Sequence, residues 1–509
     1  MKRFPYHTIL LAVFPVLFIY SRNVDETSIS EIFMPALVIL LFISLVWLLL
    51  YFIYRDIRKA GLTASLLLLL IFSYGQIRDV IVPLELPHPQ RYLFILSILL
   101  FIACAFIVYK LKSEFENLTA FVNSFSIFLI LVSGITAVYF NIIDRPSRAE
   151  TVVPEITGSV RESLPDIYYI ITDAYTRADV YQEIYDYDNS AFIQFLENRG
   201  FRVAHRSRSN YSQTTLSLPS SLNMIYLDEI AVQMGSESGN LAPLIQLIKE
   251  NTIISFLKGL GYKSVAFASG YWDTELKDAD VYLTPDEFTF SDFQEILLDM
   301  TPIPKILSKI YSFQYASRRK IILNILDNLA AIPEDDKPIF VFAHISAPHQ
   351  PFLFNDKGEA LEPGRSIAVI PSTKEFSMAD YRRKYCEYTA WLNGKLMDII
   401  DDILSRSESK PIIIIQADHG WNSLLGQNDP DDTALTERMA ILNAYFLPDT
   451  TCTALYDEIT PVNTFRVLFN CYFGTEMEML EDRVYFSRSD TPYRFIDVTD
   501  RTSSLLSNN

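Results

Sequence analysis

Two hydrophobic patterns divide this chain near residue 141. Before it, apolar residues run in five long stretches, at roughly 6–20, 32–54, 62–83, 92–109 and 120–140. After it, they come in short runs separated by amphipathic segments. The second, third and fifth stretches can cross a hydrocarbon core of about 30 Å, which takes roughly 20 residues of helix, and the fourth is just long enough. The first is short and carries Pro15. It has the length of a signal peptide, but no small-residue cleavage site follows it and four further stretches do. The pattern predicts an all-α transmembrane domain of five helices over residues 1–141.

From residue 166 the pattern is that of a sheet. Pro411-Ile-Ile-Ile-Ile-Gln-Ala-Asp418 holds four consecutive isoleucines, the mark of a strand buried on both faces in a parallel sheet covered by helices. Residues 166–173 and 338–346 read the same way. Shorter strands are expected at 201–205, 264–269 and 444–447. Helical periodicity falls near 218–226, 243–259, 318–331, 377–405 and 461–470. This alternation implies an α/β domain, a mainly parallel central sheet with helices on both faces. We place it at 166–475, behind a linker at 142–165 that contains Arg145-Pro-Ser-Arg and Val153-Pro-Glu. Residues 476–509 form a C-terminal tail that packs on or extends it.

Charge adds an orientation. Lys2 and Arg3 precede the first stretch, Arg55, Arg58 and Lys59 follow the second, and Lys110 and Lys112 follow the fourth. The other loops hold Arg22, Arg78 and Arg91, offset by Asp25, Glu26 and Glu31. The positive-inside rule puts the first group in the cytoplasm, and an odd number of crossings puts everything after Asn141 outside it. The net charge of −18 argues against a nucleic-acid partner. Of the four cysteines, Cys104 lies in the fourth stretch. Cys452 and Cys471 either pair in an oxidising compartment or remain free with Cys386.

The chemistry sits where strands end. In open α/β sheets, sites form outside the carboxyl ends of strands. Here those ends carry Asp173, then His344 and His349, then Asp418-His419-Gly420. Adjacent oxygen and nitrogen donors suit a transition-metal site. Between the first and second of these lies a hydroxyl-rich loop, Ser209-Asn-Tyr-Ser-Gln-Thr214-Thr-Leu-Ser217-Leu-Pro219, running into a helix. A hydroxyl there becomes a competent nucleophile beside a divalent cation. Trp421 and Asn422 follow the Asp-His pair and are candidate pocket lining. Arg208 closes a basic strip with Arg202, His205 and Arg206; it either meets an anionic head group or belongs to a solvated strand edge. Arg438 reads as a structural ion pair.

An Asp-ended first strand, Thr214-Thr-Leu-Ser217-Leu-Pro219 opening a helix, Ala347-Pro348-His349 and Asp418-His419-Gly420, in this order, resemble the alkaline phosphatase and arylsulfatase superfamily. The spans ahead of an outward-facing domain are similar to its membrane branch of phosphoethanolamine transferases and lipoteichoic acid synthases. The resemblance implies an alkaline-phosphatase-like fold. Asp173, Thr214, Asp418 and His419 are then the metal ligands, Thr214 the nucleophile, His349 a catalytic group facing substrate and His344 a second substrate contact. No histidine follows His419, so the later histidine ligand of two-zinc members is missing. One cation is expected, Zn2+ or Mn2+, with Mg2+ or Ca2+ as alternatives.

The implied activity is a membrane-anchored, metal-dependent phosphoryl-group transferase or phosphodiesterase. It would act outside the cytoplasm, at the cytoplasmic membrane, on phospholipid or lipid-linked envelope substrates through a phospho-threonine. One rival is a sulfatase: Ser217-Leu-Pro219-Ser220 resembles the start of a formylglycine site, although Ser221 stands where that motif has arginine. The other is a non-catalytic membrane scaffold or sensor. A transporter is disfavoured by the few ionisable residues inside the spans.

Overall fold

The computed structural model describes residues 4–24, 27–81, 89–111, 115–139, 153–158, 164–306, 308–332, 336–361, 377–423, 431–448 and 452–503. Lys2, Arg3, Asp25, Glu26, Lys112 and most of the expected linker at 142–165 lie outside these residues. The chain divides into two compact units. One comprises Met1–Ser147 with Phe290–Gln314, the other Arg148–Thr289 with Tyr315–Asn509.

The N-terminal unit is helical: α1 (His7–Arg22), α2 (Phe33–Tyr54), α3 (Ile57–Phe72), α4 (Tyr74–Ile81), α5 (Pro89–Lys110) and α6 (Glu116–Val138). The stretches Ile29–Tyr54, Ile57–Ile81, Pro89–Lys110 and Glu116–Val138 are long and apolar enough to cross a membrane. α2 and α5 are apolar all round and leave Leu41 and Leu96 63% exposed, as expected where lipid is the solvent. α1 has 16 residues, about 24 Å of helix, and buries Ala12, Val16 and Ile19. Its start meets the early turns of α6 and α3: His7 N donates to Asn123 Oδ1 (2.9 Å) and Thr8 Oγ1 to Gly61 O (3.2 Å). Its end packs on Ile32, Ala36 and Ala137, at the start of α2 and the end of α6. α1 therefore runs the length of the bundle, in the same direction as α3 and α6. At the opposite end from α6's terminus, Lys59 Nζ donates to Leu111 O (2.6 Å), joining the start of α3 to the end of α5.

The segment Phe290–Gln314 folds with these helices although the sequence places it between elements of the sheet. Its helix Asp292–Asp299 buries Phe293 and Leu297 against Val16, Ile19 and Tyr20. Gly75 N donates to Met300 O (2.9 Å), and a Cβ on Gly75 would lie 2.8 Å from Asp299 O. Arg78 grips the Asp299 carboxylate with both terminal nitrogens, at 3.0 and 2.9 Å. These contacts lie at the end of the bundle where α1, α3 and α6 finish.

The α/β unit contains β1 (Ile167–Thr172), β2 (Arg202–Val203), β3 (Lys263–Phe267), β4 (Val281–Leu283), β5 (Ile339–Ile345), β6 (Ile412–Gln416) and β7 (Asn443–Phe446), with a separate hairpin of β8 (Tyr485–Arg488) and β9 (Thr491–Asp497). The seven-stranded sheet has the order β2-β7-β6-β1-β5-β3-β4. β6, β1, β5, β3 and β4 are parallel, and β7 runs against β6. After β6 the chain stays at the carboxyl edge, where Ala417 N donates to Leu442 O (2.9 Å), so β7 starts from that edge and runs back. Every residue of β1, β5 and β6 is buried. One face packs Ile170, Val341 and Ile413 against Tyr385 and Leu392 of the helix Met378–Arg406. The other packs Tyr169, Phe342 and Ile414 against Phe465 and Phe469 of Pro461–Tyr472. Pairing of Ile171 with both His344 and Gln416 makes β1, β5 and β6 end level. Cys452 and Cys471 form a disulfide.

Candidate functional site

The level strand ends bring one acidic and imidazole cluster together. Asp173, directly after β1, still pairs with β5 through Asp173 N to Ile345 O (3.0 Å). Ala174 then turns the chain with φ 61°, a left-handed conformation that costs a non-glycine residue about 1 kcal/mol. That turn is held by Ala174 N donating to Asp418 Oδ1 (3.2 Å). Asp418 also accepts from His419 N (2.9 Å). Its second oxygen accepts from Thr214 Oγ1 at 2.6 Å, and the same hydroxyl lies 3.2 Å from His419 Nε2.

Thr214 is the first residue of the helix Thr214–Asn223, whose first turn bonds Leu216 N and Ser217 N to Gln213 O (3.0 and 2.8 Å). The N–H groups of Thr214 and Thr215 precede these bonds and are available to an anion. Thr214 is half-buried, whereas Ser217 is 2% exposed and its hydroxyl donates inward to Tyr211 O (2.8 Å). Ser209 ties the loop before Thr214 to the Asp-His turn, its Oγ 2.5 Å from Asp418 O and 3.0 Å from Ser217 Oγ.

Asp173, His344 and Asp418 are all buried and offer one donor atom each within 4.8 Å of one another. His419 Nε2 lies 3.7 Å from Asp173 Oδ1 and 3.4 Å from Asp418 Oδ2. His344, expected beside the substrate, stands inside this group, its Nε2 3.9 Å from Asp173 Oδ2 and its Nδ1 2.9 Å from Thr274 Oγ1. Burial and the neighbouring Asp418 push the Asp173 carboxyl well above its usual range. Burial works the same way on Asp418, but His419, His344 and the Thr214 hydroxyl hold it below that range. Burial lowers His344, and lowers His419 to about 3 and His349 to about 4.

Asp173 Oδ1 and His344 Nε2 have no hydrogen-bond partner although both are buried. An orphaned buried carboxylate oxygen is costly, and an orphaned imidazole nitrogen across from it matches a donor pair for a cation. The cluster could hold a divalent metal ion.

Around this cluster, His349 Nδ1 donates to Gln350 O (2.6 Å), and its ring lies 6.4 Å from that of His419 and 5.9 Å from that of Trp421. Trp421 is buried and stacks on Tyr385 at 4.5 Å. Asn422 is half-buried and makes no hydrogen bond among the described residues. Arg208 is not brought to the cluster: its Nη1 donates to Thr499 O (2.7 Å) and Thr502 Oγ1 (2.9 Å) near the C-terminus. The rest of its strip makes surface contacts: Arg202 pairs with Asp457, Arg206 pairs with Glu458, and His205 Nε2 lies 3.0 Å from Glu197 Oε1.

Two residues absent from the sequence-derived set belong here. Asp273 follows β3, and burial raises it to about 6, with Asp418 adding to the shift. It stands six residues past the strand end, too far for the strand pattern to single it out. Arg438 was read as an ion pair, but it bonds two main-chain carbonyls, Nε to Ser212 O (2.6 Å) and Nη1 to Gly420 O (3.1 Å). It clamps the loop before Thr214 to the turn after His419, which its sequence context does not reveal.

Residues 165–439 match the Sulfatase family. No curated protein matches the sequence. Among solved structures, the C-terminal periplasmic domain of EcEptC from Escherichia coli, in complex with Zn, aligns with TM-score 0.45 at 11% identity, covering 70% of this chain and 98% of that one. The integral membrane protein lipooligosaccharide phosphoethanolamine transferase A from Neisseria meningitidis gives 0.42 at 12% identity, over 92% and 95%. A 2-O GAG sulfatase gives 0.39 at 13% identity, over 64% and 78%.

Proposed function

Because this chain belongs to the Sulfatase family, we propose that it is a membrane-anchored phosphoryl-group transferase or phosphodiesterase whose nucleophile is Thr214. The observation that carries this reading is the Thr214 hydroxyl directed at Asp418 Oδ2 and His419 Nε2 beside two orphaned donor atoms. Asp173, His344, Asp418 and His419 would hold one divalent cation, Zn2+ or Mn2+, which would lower the pKa of the hydroxyl and offset charge on the phosphoryl oxygens.

The chain's own groups account for the rest. The N–H groups of Thr214 and Thr215 bind nonbridging oxygens at the helix start. Thr214 Oγ1 forms a bond to phosphorus and its proton leaves toward the acceptors it already faces. The bond from phosphorus to the leaving oxygen breaks and that oxygen takes up a proton from solvent, giving a phospho-threonine and a free alcohol. His349 is neutral at pH 7, so in the second half-reaction it takes the proton of the acceptor alcohol or water as that oxygen bonds to phosphorus; the bond from phosphorus to Thr214 Oγ1 breaks, and the freed threonine oxygen recovers its proton. A phospholipid head group is the phosphodiester nearest to a bilayer-anchored enzyme.

An α/β unit outside the cytoplasm is supported by the course of α1 to α6, by the bundle end that gathers Arg55, Lys59 and Lys110, and by the Cys452–Cys471 disulfide. Against the sulfatase alternative, Ser217 is buried and bonded away from the cluster.

The test is intact-mass measurement of full-length protein after exposure to phospholipid, wild type against Thr214→Ala. Wild type should gain a phosphorylated adduct and the variant none. An adduct that survives in Thr214→Ala, or a formylglycine in the peptide containing Ser217, refutes the assignment.

A further inference from the structure

Inside the N-terminal unit, a cavity of about 530 Å3 lies among α2, α3 and α5. Sixteen residues line it, all belonging to that unit. They include Val38 and Phe42 early in α2, Leu68 and Phe72 late in α3, Phe94 early in α5 and Phe101 just past its midpoint. Those helix ends lie on the side where α6 finishes. Phe42 is nine residues into α2, about 14 Å along the axis, close to half of a core of about 30 Å. With Phe101 twelve residues into α5, about 18 Å along the axis, the cavity reaches from the side on which the chain leaves for the α/β unit to about the middle of the core. Thr301-Pro302-Ile303 add a wall from the inserted segment.

The walls offer nothing to a polar occupant. Three lining side chains carry a polar atom, and each is satisfied within the protein. Ser97 Oγ donates to Leu93 O (2.9 Å), Tyr74 OH to Gln90 O (3.1 Å) and Thr301 Oγ1 to Leu298 O (2.7 Å). Water requires two to four polar partners and is excluded from such space. Left empty, the walls would lose dispersion contacts. Hydrocarbon meets both conditions, and at this depth the surrounding hydrocarbon is lipid. Arg91, exposed one turn before Phe94, places a cation at head-group depth, which complements a phosphate.

We infer that this cavity seats an acyl chain of the phospholipid on which Thr214 acts, drawn from the leaflet on the side where the chain enters the α/β unit. The seat follows from the cavity. Its occupant's role as substrate rests on the phosphodiester reading above.

The test uses the full chain in nanodiscs of phosphatidylethanolamine and phosphatidylglycerol, doped with a phosphatidylethanolamine carrying a diazirine on one acyl chain. Photolabel should appear on the peptides holding Leu68 and Phe101. Filling the cavity with Ser97→Trp, or independently with Ile98→Trp, should lower that label about tenfold, the scale of excluding two methylene groups from an apolar seat. Leu131→Trp, at a position on α6 that is 56% exposed, should leave it unchanged. Both filling variants should raise the apparent KM for phosphatidylethanolamine while kcat, and turnover of a soluble short-chain diester, stay at wild-type values. Unchanged labelling in both variants, or crosslinking at these positions to a second copy of the chain, overturns the seat. Lost labelling with an unchanged KM overturns the substrate assignment, because the cavity then holds a resident lipid. Wild type inactive on both diesters refutes the phosphodiester reading, while the labelling still decides the seat.

Discussion

Gly420 completes the Asp-His-Gly turn for a steric reason, and replacing it gives the sharpest check on the site's construction. A Cβ there would lie 2.2 Å from Glu437 O, 2.7 Å from Ala440 O and 3.0 Å from Arg438 O. All three are main-chain oxygens, so no side chain can swing away. Gly420 N also donates to Arg438 O (2.6 Å). Reaching the 3.0 Å that real Cβ atoms keep requires the turn or the helix Asp432–Met439 to move by about 0.8 Å. Overpacking of this kind costs about 1–3 kcal/mol, or a few degrees in Tm at about 2–4 °C per kcal/mol. The larger effect is on His419, one residue away. A displacement near 1 Å at a reacting geometry costs about 100-fold in rate. Gly420→Ala should therefore lose about two orders of magnitude in turnover of a model phosphodiester while unfolding only a few degrees early. Gly394 is the control, since nothing lies within 4 Å of a Cβ built there. In the middle of the helix Met378–Arg406, Gly394→Ala should stabilise by about 0.5–1 kcal/mol and leave turnover alone. A Gly420→Ala protein with wild-type turnover would show that the turn is not held as described.

Three further outcomes follow from the same contacts. Arg438→Met removes two charge-assisted hydrogen bonds, about 1.5–3 kcal/mol each, and should depress both Tm and turnover; Arg438→Lys, without the planar fork, should recover part of the turnover, and equal values for the two variants would argue against the clamp. Reduction of Cys452–Cys471, which are 19 residues apart, should destabilise the α/β unit by about 3 kcal/mol on chain-entropy grounds, measured as a lower denaturation midpoint; no change would mean the bridge is dispensable. Burial pushes the Cys386 thiol up to about 12, so at pH 8 only about one molecule in 10,000 carries the reactive thiolate. Iodoacetamide should spare the native Cys386 and modify it after denaturation, as read by peptide mass spectrometry, and rapid native labelling would contradict the packing.

The strands that form the site were legible because both their faces are buried. The isoleucine run of β6 and the apolar runs of β1 and β5 lack the alternation of a half-wet strand, and each has a residue with a coordinating atom at or within two residues of its end. The reversed direction of β7 was not legible, because periodicity carries no sense of direction and the path after His419 depends on main-chain contacts. The place of His344 was hidden for a related reason: a histidine within an apolar strand reads alike whether it points at substrate or at Asp173. Asp273 was missed because β3 is short and its carboxylate stands six residues past the strand. The segment Phe290–Gln314 escaped notice because its helix has the ordinary amphipathic pattern of one packed on a sheet, and only coordinates reveal that its partner is α1.

That segment bears on how the protein can be handled in the laboratory. A fragment trimmed to begin after the last membrane crossing would still carry Phe293, Leu297 and Met300, whose neighbours Val16, Ile19 and Tyr20 would have been cut away. The trimmed product would expose a greasy loop to buffer and clump or cling to detergent. Replacing Phe290–Gln314 with a short polar bridge is the change that would yield a freely soluble preparation.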